Sequence, residues 1–165
     1  MVLSTNQTKT AALVLSLALL ILAFFNAPQQ CVLKPGCGIT GHLCYHFFHA
    51  NFFHALCNVW CLLALAFYYD IEDWELLLAW LIACSVPSVA MASQPTVGAS
   101  GVCFALMGIV FYKVARKRYY LSWIIPIVAI GFFIPAMAAT LHLYCFTLGI
   151  TVSLVLQAVG LYKRR

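Results

Sequence analysis

Charge is what this sequence has least of. Only 8% of its 165 residues are charged and 65% are hydrophobic, where a soluble domain carries about 25% charged and 45–50% apolar residues. That balance excludes a water-soluble globule. Acids are scarcer than bases, with four Asp and Glu against nine Lys and Arg. All four, Asp70, Glu72, Asp73 and Glu75, lie in one short connection, which leaves no carboxylate for an aspartyl or carboxylate-relay mechanism inside a membrane. The charges sit in short patches between long uncharged stretches, a pattern that excludes disorder and nucleic-acid binding. Internal repeats, low-complexity tracts and linkers are also missing, so residues 1–165 read as a single domain. Eight cysteines, at 31, 37, 44, 57, 61, 84, 103 and 145, include no C-x-x-C pair, so a thioredoxin-type or quinone-coupled dithiol site is not indicated.

What the sequence has is apolar runs. A helix needs about 20 apolar residues to cross a hydrocarbon core about 30 Å thick, so this length holds about six crossings and little else. Charges and turn formers predict spans at Thr10–Ala27, Leu43–Tyr69, Trp74–Ala92, Gly98–Tyr112, Tyr119–Pro135 and Ala138–Leu161. The expected fold is an all-α, six-transmembrane-helix bundle. A signal peptide is the alternative for the first span, because Lys9 precedes the apolar run Ala11–Phe25, although Ala23 and Ala27 lack A-x-A spacing. Lys9, Lys113, Arg116, Lys117, Arg118, Lys163, Arg164 and Arg165 fall on one side of this topology and Lys34 alone on the other. The positive-inside rule then predicts a multi-pass protein of the cell membrane with both termini cytoplasmic.

Polar side chains inside apolar helices are expensive and so are functional candidates. In span two, His54 and Asn58 are four apart and share a helical face. In span four, Gly98-Ala99-Ser100-Gly101 leads into a face of small residues, Gly101, Ala105 and Gly108, suited to close helix packing. In span six, His142 stands above Cys145, Gly149 and Ser153. Each cluster alone also fits interhelical packing. Ser100 to Lys113 covers only about 20 Å of a core about 30 Å thick, so Ser100 is expected about 10 Å below the outer surface, with Ser93–Val97 dipping inward to reach it. Counting from Asp70 puts His54 and Asn58 at heights that bracket Ser100, and a tilt of span six permits the same for His142. A serine, two histidines and an asparagine at one depth, with no acid, fit a Ser-His dyad: Ser100 as nucleophile and His142 as base. His54, Asn58 and the Ser100 backbone N–H would donate to the oxyanion.

With these residues in place, the sequence resembles the rhomboid intramembrane serine proteases. The resemblance rests on His49-x4-His54-x3-Asn58, Gly98-x-Ser100-Gly101 followed by Ala105-Leu106-Met107-Gly108, and a histidine at the head of the last span with Gly149 seven residues on. It implies that Ser100 and His142 form the dyad and that His54 and Asn58 line the oxyanion site. It also implies supporting roles for Gly98, Gly101, Phe104 and Gly149. Three features depart from the family pattern. The Trp-Arg pair common in the first outer loop is missing from the short Pro28–His42 segment. Phe104 stands where many members carry a tyrosine, and Cys145 stands for a glycine.

The expected partners are transmembrane protein substrates in a lipid bilayer, with no metal or organic cofactor. Two other readings remain open on sequence alone: an inactive rhomboid-like protein that binds helices without cutting them, and a metal or haem protein. The second draws on His42, Cys44, His46, His49 and His54, since on one helix His42, His46 and His49 would share a face. Cys31 and Cys37 in the outer loop either pair as a disulfide or stay free, according to whether that side is oxidising; the remaining cysteines read mostly as small apolar fillers.

Overall fold

A computed structural model describes residues 5–91, 94–134 and 137–160. The expected span ends at Ala92, Pro135 and Leu161, together with Ser93, Lys163, Arg164 and Arg165, lie outside the described residues. Seven α-helices are present there: α1 (Thr5–Leu22), α2 (Ile39–Cys44), α3 (Phe52–Tyr68), α4 (Asp73–Cys84), α5 (Ser100–Ile109), α6 (Lys117–Gly131) and α7 (Ala139–Ala158). Short 3-10 turns follow α2 at Tyr45–Phe47 and α5 at Val110–Tyr112, and others form at Gln29–Cys31 and Ser88–Met91.

Span two is corrected by this arrangement. The stretch expected as one helix from Leu43 is broken, and its two parts, Ile39–Phe47 and Phe52–Tyr68, meet at 86°. Asn51 causes the restart: its extended backbone ends the incoming chain and its side chain accepts the His54 N–H at 2.9 Å, capping α3. Span three is corrected as well. Helix α4 stops at Cys84 rather than Ala92, because Ser85 Oγ bonds back to the Ile82 carbonyl at 2.7 Å and Pro87 cannot donate to a continuing helix. Among the described residues and taken singly, only α7, with 20 residues, is long and apolar enough to cross a bilayer; the bent pair meets that test only together, and residues 7–22 and 100–112 form shorter apolar helices.

Helix α5 lies at the centre, with every residue from Ser100 to Ile109 except Met107 buried, and it packs most extensively on α7 and then α4. The α5–α7 contact depends on two glycines. A Cβ at Gly108 would overlap the Phe146 carbonyl oxygen and lie 2.7 Å from the Ile150 nitrogen. One at Gly149 would overlap the Ala105 carbonyl oxygen and lie 3.1 Å from Gly108 Cα. Helices in a membrane gain little from apolar contact itself, so such backbone approach is their main source of packing energy.

Among the described residues the ion pairs gather at the opposite end from Ser100. Lys9 pairs with Asp70 at 2.6 Å, joining the start of α1 to the end of α3. Glu75, expected in a connection, is instead in the first turn of α4 and fully buried. Its carboxylate accepts from the Glu72 N–H at 2.7 Å, from Tyr112 OH at 3.2 Å and from Lys113 Nζ at 2.5 Å, which ties the head of α4 to the foot of α5.

Candidate active site

Two backbone anchors bring the chain to Ser100. Thr96 forms an isolated antiparallel bridge with Leu33, with bonds of 3.0 and 2.9 Å. The Gly98 N–H then donates to the Tyr45 carbonyl at 2.9 Å. Gly98 is in the left-handed half of backbone space at φ +133°, and a Cβ there would lie 2.7 Å from His54 Cε1 and 3.5 Å from Asn58 Nδ2. Only glycine meets both demands. The same distances put His54 and Asn58, one turn apart on α3, against the segment that enters α5.

Ser100 is the first residue of α5, where backbone N–H groups have no intrahelical acceptor. Its Oγ lies 3.0 Å from His142 Nε2, and both side chains are buried. The imidazole stacks on Phe104, one turn beyond Ser100, with ring centroids 4.3 Å apart and planes 18° from parallel. His142 Nδ1 is buried with no hydrogen-bond partner among the described residues, so no third side chain orients the ring there, and stacking performs that task. Asn58 Nδ2 is likewise buried without a partner. A buried amide donor without a partner is costly, and here it borders the approach to Ser100.

Two contributors had no role in the Ser100 site assigned from sequence. His49 Nε2 accepts the Ala99 N–H at 3.2 Å, which assigns the proton to Nδ1, and its ring meets His54 edge-on at 5.1 Å. Its place in the His49-x4-His54 spacing was the available signal. Tyr45 is fully buried, donates its hydroxyl to the Ala83 carbonyl at 3.0 Å, and crowds Gly101, where a Cβ would lie 3.0 Å from that hydroxyl. Nothing local marks Tyr45 within an aromatic-rich apolar run. Gly101 is thus packed closely by Tyr45, by Leu141 of α7 and by Ala83 of α4.

The break before α3 dissolves the helical face that would have joined His42, His46 and His49. His42 Nδ1 lies 3.0 Å from the Cys84 carbonyl; His46 Nε2 lies 3.1 Å from the His42 carbonyl and 3.3 Å from Cys84 Sγ; His49 turns to Ala99. Among the described residues, no three His, Cys, Asp or Glu side chains converge in a way that could hold a metal ion.

Residues 36–159, three quarters of the chain, match the family model described as Rhomboid domain. The matched range includes His54, Asn58, Gly98, Ser100, Gly101, Phe104, His142 and Gly149. No curated protein gives a significant match.

Proposed function

The chain belongs to the rhomboid family, a family of intramembrane proteases, and from that premise we propose that it is a serine-type intramembrane endopeptidase cleaving transmembrane segments of other membrane proteins. The observation that carries the proposal is the 3.0 Å contact between His142 Nε2 and Ser100 Oγ, beside the unpartnered Asn58 amide.

In this reading His142 Nε2 takes the Ser100 proton as Oγ attacks the scissile carbonyl, then delivers it to the leaving amine. The carbonyl oxygen becomes an oxyanion, which accepts hydrogen bonds from Asn58 Nδ2, His54 and the Ser100 backbone N–H. Water repeats the sequence on the acyl-enzyme and regenerates Ser100. A helical peptide bond is shielded by its own hydrogen bonds, so the scissile segment must unwind locally, which favours small or helix-breaking residues near the cut.

The same proposal includes a bundle of six crossings in the cell membrane with both termini cytoplasmic. The bent α2–α3 pair and the short α4 and α5 would count as crossings inside such a bundle, where protein covers irregular backbone. Cuts would fall near the outer end of the substrate helix, at the level of Ser100.

The decisive experiment is labelling of the purified protein in a bilayer by a fluorophosphonate, with cleavage of a model transmembrane substrate measured in parallel. Labelling at Ser100 alone, and loss of both signals in Ser100→Ala, is the expected result. His142→Ala should match it, and the double variant should be no worse than either single one, because a nucleophile and its base act as a unit. Unchanged cleavage by Ser100→Ala would overturn the proposal; a folded wild type that neither labels nor cleaves would favour the helix-binding, inactive reading.

A further inference from the structure

The outer loop holds two free cysteines, Cys31 and Cys37, six positions apart. Cys37 packs against α2, where a Cβ at Gly41 would lie 2.8 Å from Cys37 Cβ and 3.0 Å from its sulfur. Burial first, and then the neighbouring Cys44 side chain at the end of α2, push the Cys31 thiol above its ordinary range. The backbone geometry agrees. The Gln29–Cys31 turn packs on α2, and Gly41, one helical turn before Cys44, would bring a Cβ to 3.1 Å from the Val32 carbonyl, next to Cys31. The face of α2 that carries Cys44 therefore lies against the stretch that carries Cys31.

We propose that Cys31 and Cys44 are a disulfide-forming pair, and that their cross-link braces the segment leading to Ser100. Leu33, two residues after Cys31, makes the bridge to Thr96, and Tyr45, next after Cys44, accepts the Gly98 N–H. Each sulfur thus stands beside one of the two backbone anchors of residues 96–98. Joining the sulfurs fixes the anchors relative to each other, and so limits how far Ser100 can drift from His142.

The oxidant is a small-molecule disulfide such as oxidised glutathione. Cys44 is half-buried whereas Cys31 is buried, so Cys44 reacts first. Its thiolate attacks one glutathione sulfur and expels one glutathione thiolate, leaving a mixed disulfide. The Cys31 thiolate then attacks the Cys44 sulfur and expels the second glutathione. Two protein thiols are oxidised to one disulfide, one glutathione disulfide is reduced to two thiols, and the two thiol protons pass to the departing glutathiones.

The test uses the full-length protein in detergent, reduced and then equilibrated with oxidised glutathione. Free thiols are alkylated, and linked peptides are identified by mass spectrometry. The expected product is one cross-link joining Cys31 to Cys44, with loss of two alkylatable thiols and a rise in melting temperature of roughly 5–10 °C, as for a loop of this size. Cys31→Ser and Cys44→Ser should abolish the rise and Cys37→Ser should keep it. Eight alkylated thiols after oxidation, or a peptide joining Cys31 to Cys37, would overturn the assignment. The thiol count on the wild-type protein decides this even where a serine variant fails to fold, and it is independent of whether the protein cleaves anything.

Discussion

Gly149 on α7 sits 3.1 Å, by its would-be Cβ, from Gly108 Cα on α5, and that same Cβ would overlap the Ala105 carbonyl oxygen. His142 lies two turns above Gly149 on α7 and Ser100 two turns above Gly108 on α5. The spacing of the two glycines therefore sets the spacing of the two reactive side chains. Gly149→Ala should force the helices apart, at a cost of about 1–3 kcal/mol for overpacking. Because misplacement by about 1 Å can cost roughly 10²-fold, cleavage should fall by more than the loss of stability accounts for, as seen by comparing kcat with melting temperature. Retention of full kcat would show that α7 reaches Ser100 without this contact.

On the proposed mechanism, Asn58→Ala and His54→Ala each remove one oxyanion donor and leave the nucleophile in place. Each should lower kcat roughly 10²–10³-fold while fluorophosphonate still labels Ser100, more slowly. An effect on KM alone would reassign these residues to substrate binding.

The Phe104 ring stacks on the face of His142. Phe104→Tyr keeps the ring and should keep most of the activity, whereas Phe104→Leu should cost roughly 2- to 12-fold, the equivalent of about 0.5–1.5 kcal/mol for an aromatic pair. Equal loss in both variants, measured as kcat on one model substrate, would mean that packing volume matters and stacking does not.

Glu75 is fully buried and holds Lys113, Tyr112 and the Glu72 N–H together. Breaking a buried ion pair by removing one partner typically costs about 3–5 kcal/mol, so Glu75→Ala should lower the melting temperature sharply. Because this network lies at the far end of α5 from Ser100, the folded fraction that remains at low temperature should label at nearly the wild-type rate.

Chelators offer a separate check. A Ser100 nucleophile with a His142 base needs no metal, so cleavage and labelling should be unchanged after prolonged treatment with EDTA, and activity lost to EDTA and restored by a divalent ion would contradict the serine mechanism.

The site was more legible in the sequence than the path of the chain. Ser100, His142, His54 and Asn58 stand out because polar groups are conspicuous in apolar runs, and a count of helical rise was enough to suggest one common depth. The break before α3 was not legible, since Phe47-Phe48 and Phe52-Phe53 flank it with continuous hydrophobicity and the terminator is one Asn51 side chain bonding to its own backbone neighbour. Helix α4 ended early for a similarly local reason, a serine hydroxyl followed by a proline. The burial of Glu75 was hidden for the opposite reason. A cluster of four acids reads as solvated connection, and only the tertiary meeting with Lys113, 38 positions away, takes one of them out of water.

Among the described residues the ion pairs, Lys9 with Asp70 and Lys113 with Glu75, sit at one end of the bundle, while the Ser100 end is fastened by backbone bonds, a buried tyrosine and stacked rings. Ionic strength therefore reaches the two ends unequally. Added salt screens exposed charges over about 8–10 Å and weakens the half-exposed Lys9–Asp70 link first, letting the foot of α1 fray from α3, whereas the neutral fastenings around Ser100 offer mobile ions nothing to screen.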